Sequence, residues 1–184
     1  MLAAAGAGGG VATALASCGG GHDNPEVTQT VSPEQSRSDA AVMNALLDLE
    51  RMAVLAYDAV LEHLTGAERR LAMTLREHER EHQRAAVRAI RDLGAHPVPA
   101  RPDGSYTSGF PPLRSEREAL RFALDVENTQ VSAYGDSLGS LVTPELRVTL
   151  LAILGAEAEH MSAILGRLHE PQAGRAFVTG NAPT

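Results

Sequence analysis

Six residues in this sequence have the types and spacing to do chemistry together: Glu50, Glu79, His82, Glu127, Glu157 and His160. Glu79 stands three residues before His82, and Glu157 three before His160. On an α-helix that step leaves two side chains roughly 60° apart, so both can aim at one ion. Glu50 and Glu127 occupy positions that the apolar spacing of their own stretches would give to core residues. Four carboxylates buried without counter-charge would cost on the order of several kcal/mol each, or would take up protons until neutral. Two divalent cations would cancel that charge, with the imidazoles binding as neutral ligands. Oxygen and imidazole donors without thiolate suit iron, manganese or zinc. The other reading is a hydrated polar layer in a bundle that has lost its metal.

Such a cluster needs helices to hold it at one height, and the sequence supplies four. The first is expected from about Asp39 to Leu64, with Met43, Leu46, Glu50, Ala53, Tyr57, Val60 and Leu64 inward at alternating steps of three and four. Thr65-Gly66-Ala67-Glu68 has the form of a capping box and opens the second, which runs to Leu93 and stops at Gly94 with Pro97 beyond. Residues 95–114, with five prolines and two glycines, read as irregular. Ser115-Glu116-Arg117-Glu118 repeats the box and opens a third helix to about Leu141. Thr143-Pro144 opens the fourth, which ends near Leu168 before Pro171. Short turns make antiparallel neighbours within each hairpin, while the long middle segment can cross the bundle. The expected fold is therefore all-α, an antiparallel four-helix bundle of two hairpins over residues 38–169, with an irregular tail at 170–184.

The hairpins repeat each other. Leu47-Asp48-Leu49-Glu50 and Leu124-Asp125-Val126-Glu127 are 77 residues apart, as are Tyr57 and Tyr134; Glu79 and His82 precede Glu157 and His160 by 78. Residues equidistant from an antiparallel turn share a height. Glu50 and His82 are centred on Gly66, and Glu127 and His160 on the step between Thr143 and Pro144. All six side chains are thus expected in one layer.

The chain has 184 residues, a net charge of -7 and one cysteine, Cys18. The charge offers no basic field to nucleic acid, which is excluded as a main partner. One cysteine excludes an internal disulfide framework or a thiolate cluster. No stretch after residue 20 reads as apolar for eighteen residues or more, so the folded part is expected to be soluble rather than membrane-spanning. Residues 2–16 are small, apolar and uncharged, and read as a secretory signal. Leu15-Ala16-Ser17-Cys18 resembles a bacterial lipobox, which makes Cys18 the candidate lipidation site and anchor. No Lys or Arg precedes the apolar run; a true start further upstream would supply one, and a plain Ala/Gly leader is the other reading. Residues 19–37 read as a flexible linker.

One glutamate from each of two helices, with Glu-x-x-His from each of the other two, resembles the ferritin-like di-iron pattern, over roughly residues 40–168. The resemblance implies terminal carboxylates at Glu50 and Glu127, bridging ones at Glu79 and Glu157, and His82 and His160 each capping one of two iron ions, with manganese as the alternative. It is nearest to exported ferritin-like domain proteins of bacteria, which implies a place in the cell envelope. Bacterioferritin and rubrerythrin carry a tyrosine placed like Tyr57, and Tyr134 repeats it; the pair would hydrogen-bond ligands or quench oxidising equivalents, or simply fill the core. Gln130 stands where rubrerythrins usually carry a carboxylate, which counts against their peroxidase chemistry. His78 has Ala156 as its counterpart and reads as accessory at best.

The implied activity is oxidation of Fe(II), or reaction with dioxygen or peroxide. The alternatives are a metal-binding or structural module without turnover and an interaction domain with a vestigial site. A homo-oligomer stays open.

Overall fold

The computed structural model describes residues 31–172 and Gly180. The signal segment with Cys18, linker residues up to 30 and most of the tail lie outside the described residues. Within them all regular structure is helical: α1 Pro33–Leu61, α2 Gly66–Asp92, α3 Asp103–Thr107, α4 Glu116–Leu138 and α5 Pro144–Leu168. The four long helices are those expected, with ends that differ for local reasons.

Helix α1 begins six residues before Asp39, so residues 33–37 belong to the bundle and not to a linker. Gln35 N–H donates to Ser32 Oγ at 3.2 Å and Ser32 N–H to Gln35 Oε1 at 2.8 Å, with Pro33 in the first turn. That is a complete capping box. The expected box at Thr65 does not form: its side chain makes no capping hydrogen bond, and Gly66 turns the chain at φ 53°. At Ser115 half the box forms. Glu118 N–H donates to Ser115 Oγ at 3.2 Å, while the Glu118 carboxylate accepts from Arg114 N–H instead. Helices α1 and α4 each stop three residues short of expectation, yet Leu64 and Leu141 are still buried. The apolar spacing continued into the turns because those leucines plug the ends of the core.

Segment 95–114 contains α3 and is fastened to the outside of α1. Asn44 Oδ1 accepts from Val98 N–H at 2.7 Å, Arg51 donates to Val98 O at 2.8 Å, and Asp48 pairs with Arg101 at 2.7 Å and accepts from the Tyr106 hydroxyl. Asn44, Asp48 and Arg51 form one polar stripe at helical spacing.

Helices α1 and α2 pair, as do α4 and α5; α1 also meets α4, and α2 meets α5 least closely. Two apolar clusters fill the ends of the bundle. One is built around Met43, Leu47, Ile90, Leu150 and Ile153. The other is built around Val60, Leu75, Leu120, Ile164 and Leu168. The polar layer lies between them.

Helix α5 corrects one expectation: an eighteen-residue window of it reaches a mean hydropathy of 1.4, long and apolar enough to cross a membrane by composition. Ala, Leu and Ile raise the average around a few charges. Even so, α5 is packed as a bundle helix and turns Glu157 and His160 inward.

Buried Asp39 ties the start of α1 to the turn between α4 and α5, accepting from Val142 N–H at 2.9 Å and Thr143 N–H at 2.8 Å. Replacing it leaves two amides without their acceptor. Asp39→Ala is expected to lower stability by about 1.5–3 kcal/mol, and Asp39→Asn by less, in chemical denaturation.

Candidate metal centre

Helix α1 contributes Glu50, α2 Glu79 and His82, α4 Glu127, and α5 Glu157 and His160, and all six side chains are buried. They form two groups of four, Glu50 with Glu79, His82 and Glu157, and Glu79 with Glu127, Glu157 and His160. Within each group one donor atom per residue lies within 4.8 Å of every other, a span that one cation could occupy. Glu79 and Glu157 belong to both groups. Glu157 is split between them, with Oε1 2.9 Å from His82 Nδ1 and Oε2 3.1 Å from His160 Nδ1.

These atoms lie close to one another, yet many of them make no hydrogen bond. Ten buried side-chain polar atoms among the described residues have no hydrogen-bond partner, and five belong to this layer: Glu50 Oε2, Glu79 Oε1, His82 Nδ1 and both oxygens of Glu157. Buried polar atoms are normally satisfied. Orphans concentrated on one set of oxygens and an imidazole nitrogen fit a donor set for cations.

The chain matches the family model for the ferritin-like domain over residues 38–170. It belongs to the ferritin-like domain family. A solved structure described as ferritin-like, diiron-carboxylate proteins from Bacillus anthracis str. Ames superposes with a TM-score of 0.58 at 20% identity, covering 73% of this chain and 96% of the other. No protein of curated function matches the sequence at a significant level.

A second ring surrounds the ferritin-like layer. The Tyr57 hydroxyl donates to Glu127 Oε1, and the Tyr134 hydroxyl to Glu50 Oε1, so each tyrosine holds the carboxylate of the opposite hairpin. Burial first, and then the neighbouring carboxylates, push both phenols well above their ordinary range, so they stay protonated donors. Gln130 Nε2 donates to Glu79 Oε2 at 2.6 Å. His78 reaches across to α5, its Nδ1 3.0 Å from His160 Nε2. The sequence marked Tyr57, Tyr134 and Gln130 as inward but could not say which neighbour each would meet. It undervalued His78, whose one signal was its place a turn before His82. The outer face of α2 carries ion pairs instead, with Arg84 paired to Glu77 at 2.8 Å and to Glu81 at 2.7 Å.

Burial, with repulsion from Glu79 and other carboxylates, pushes Glu50 and Glu127 well above the usual carboxylate range. Burial also works to raise Glu79 and Glu157, but contacts with His160 and His82 outweigh it, leaving Glu79 lowered and Glu157 at about 2. Burial opposes charge on the imidazoles, yet the carboxylates win, raising His82 to about 9 and His160 to about 12. Without cations the layer therefore holds its protons unevenly: Glu50 and Glu127 keep theirs to higher pH than free carboxyls, Glu79 and Glu157 lose theirs at lower pH, and both imidazoles are shifted towards the charged form.

A histidine with a raised pKa stabilises the fold fully below its ordinary value and loses that contribution as pH rises through the folded one. For His82 the window runs from 6.5 to about 9. His160 and the raised carboxyls of Glu50 and Glu127 act with the same sign. Chelator-treated protein is expected to melt at progressively lower temperature across that range; a flat or rising melting curve would contradict the charge assignment.

Proposed function

We propose that this chain is a two-metal carboxylate protein that oxidises Fe(II) with dioxygen or peroxide, anchored at the cell envelope through Cys18. The observation that carries the reading is the pair of four-residue groups sharing Glu79 and Glu157, with their orphaned donor atoms. In it Glu50 and His82 would hold one ion and Glu127 and His160 the other, with Glu79 and Glu157 available to both. The donor set suits iron, with manganese as the alternative. When bound, iron supplies the electrons, one from each Fe(II), to the oxidant.

The chain's own part is positioning and charge. Four carboxylates favour the more highly charged state of the ions they hold, and the apolar clusters on either side keep bulk water away. Tyr57 and Tyr134 fix the terminal carboxylates through Oε1; Oε2 of Glu50 has no partner, and Oε2 of Glu127 faces His160 Nδ1 at 3.2 Å. Binding must displace protons from Glu50, Glu127, His82 and His160, so cation uptake is expected to strengthen as pH rises. The envelope location is supported by the lipobox-like Leu15-Ala16-Ser17-Cys18 and by the apolar run before it.

Protein produced with iron and manganese available is expected to hold about two equivalents of metal per chain, and the Glu79→Ala/Glu157→Ala double variant close to none. The loaded wild type is expected to consume Fe(II) well above the buffer rate, with the double variant at that rate. Metal uptake with ferrous oxidation only at the buffer rate would instead favour a non-catalytic metal-binding module. Saturating metal is expected to stabilise the wild type by about 2.7 kcal/mol per occupied site at one hundred times its Kd, and the double variant not at all.

A further inference from the structure

The internal repeat relates the two groups, so residues that break the repeat beside them can tell the two positions apart. An offset of 78 carries Glu79 onto Glu157 and His82 onto His160, but it carries His78 onto Ala156. His78 Nδ1 lies 3.0 Å from His160 Nε2, with the rings stacked 5.2 Å apart and inclined at 25°. The equivalent contact to His82 would have to come from Ala156, which has no polar side-chain atom. His82 meets the layer through Nδ1, itself without a hydrogen-bond partner, and no described residue is set against its Nε2 as His78 is set against that of His160. Its side chain is 11% exposed, against 4% for His160.

A second break is Gln130, whose counterpart at an offset of 77 is Ala53. Its amide donates to Glu79 Oε2, the oxygen 3.6 Å from His82 Nδ1. Glu79 Oε1, 3.3 Å from His160 Nδ1, stays free. An oxygen that already accepts an amide proton has less electron density to give a cation.

Both breaks act in one direction. A histidine that ligates through Nδ1 carries its proton on Nε2. At His160 that proton has an acceptor in His78 Nδ1, which fixes the tautomer and the ring and raises ligand basicity. At His82 no group among the described residues does this, and one nearby carboxylate oxygen is shared with Gln130.

Resting on the two-metal reading above, we propose that the two positions are unequal: the ion held by Glu127 and His160 binds first and more tightly, the ion held by Glu50 and His82 is the exchangeable one, and His78 is the positioning residue that sets this order.

The test is titration of the metal-free full chain with Co(II), followed by calorimetry and by visible absorption. Wild type is expected to show two separate binding constants, with His160→Ala removing the tighter and His82→Ala the weaker. His78→Ala is expected to weaken the tighter constant roughly 10- to 100-fold. His78→Gln, whose side-chain oxygen can accept the same proton, is expected to restore most of it. His78 is exposed, so melting of the metal-free variant should match wild type and rule out a folding defect. Two equal constants in wild type, or a tighter constant indifferent to His78→Ala, would overturn the inference and leave the two-metal reading standing. No Co(II) uptake at all would overturn that reading and this inference together.

Discussion

The fold is organised around a charge problem. Four carboxylates and two imidazoles sit in one buried layer, with apolar side chains packed on both sides. An isolated ion there would be prohibitive, so charges must cancel inside the layer. In the metal-free chain protons take part in the cancelling: Glu50 and Glu127 are pushed towards keeping theirs, while Glu79 and Glu157 are pushed towards giving theirs up beside imidazoles that favour the charged form. The layer is still poorly hydrogen-bonded, since five of its buried polar atoms have no partner. Two cations would solve the same problem with those atoms satisfied.

The surroundings make sense as devices that hold this layer in register. A one-residue slip of a helix turns each side chain by about 100° and would carry a glutamate out of the site. Each hairpin fixes its own height through a short turn, but the relative height of the two hairpins needs something else. Asp39 provides one tie, from the start of α1 to the turn between α4 and α5. The crossover provides another, because it is fastened along α1 at Asn44, Asp48 and Arg51 before it enters α4. The two tyrosines tie the hairpins within the layer itself.

Much of this was legible in the sequence because helical spacing encodes face and height. Glu50, Glu79, His82, Glu127, Glu157 and His160 could be placed on one layer from distances to the turns alone, and the structure brings them there. What spacing does not encode is which helix lies across from which. The tyrosine pairings, the bond from Gln130 to Glu79 and the reach of His78 all cross between hairpins, and each depends on the order of helices around the bundle. Cap chemistry failed for a different reason. A Thr-x-x-Glu pattern makes a box available, but a left-handed glycine directly after Thr65 takes the backbone elsewhere. Conversely, Ser32-Pro33-Glu34-Gln35 looked like linker because its composition is that of a linker, although its order is that of a helix start.

The repeat explains why so few residues suffice. A hairpin carrying one inward glutamate, one Glu-x-x-His and one tyrosine supplies half of the layer, and its copy supplies the other half. Sharing follows from the geometry: a Glu-x-x-His glutamate near the pseudo-symmetry axis is within reach of both histidines, as Glu79 and Glu157 are. Strict symmetry would leave the two halves identical in electrostatics and in access to solvent. A duplicated sequence is free to change one copy at a time, and at His78 against Ala156 and Gln130 against Ala53 it has done so directly beside the layer. The polar residue lies in the first hairpin in one case and in the second in the other. Both contacts nevertheless distinguish the His160 side from the His82 side, because His78 meets Nε2 of His160 while Gln130 occupies the Glu79 oxygen that faces His82.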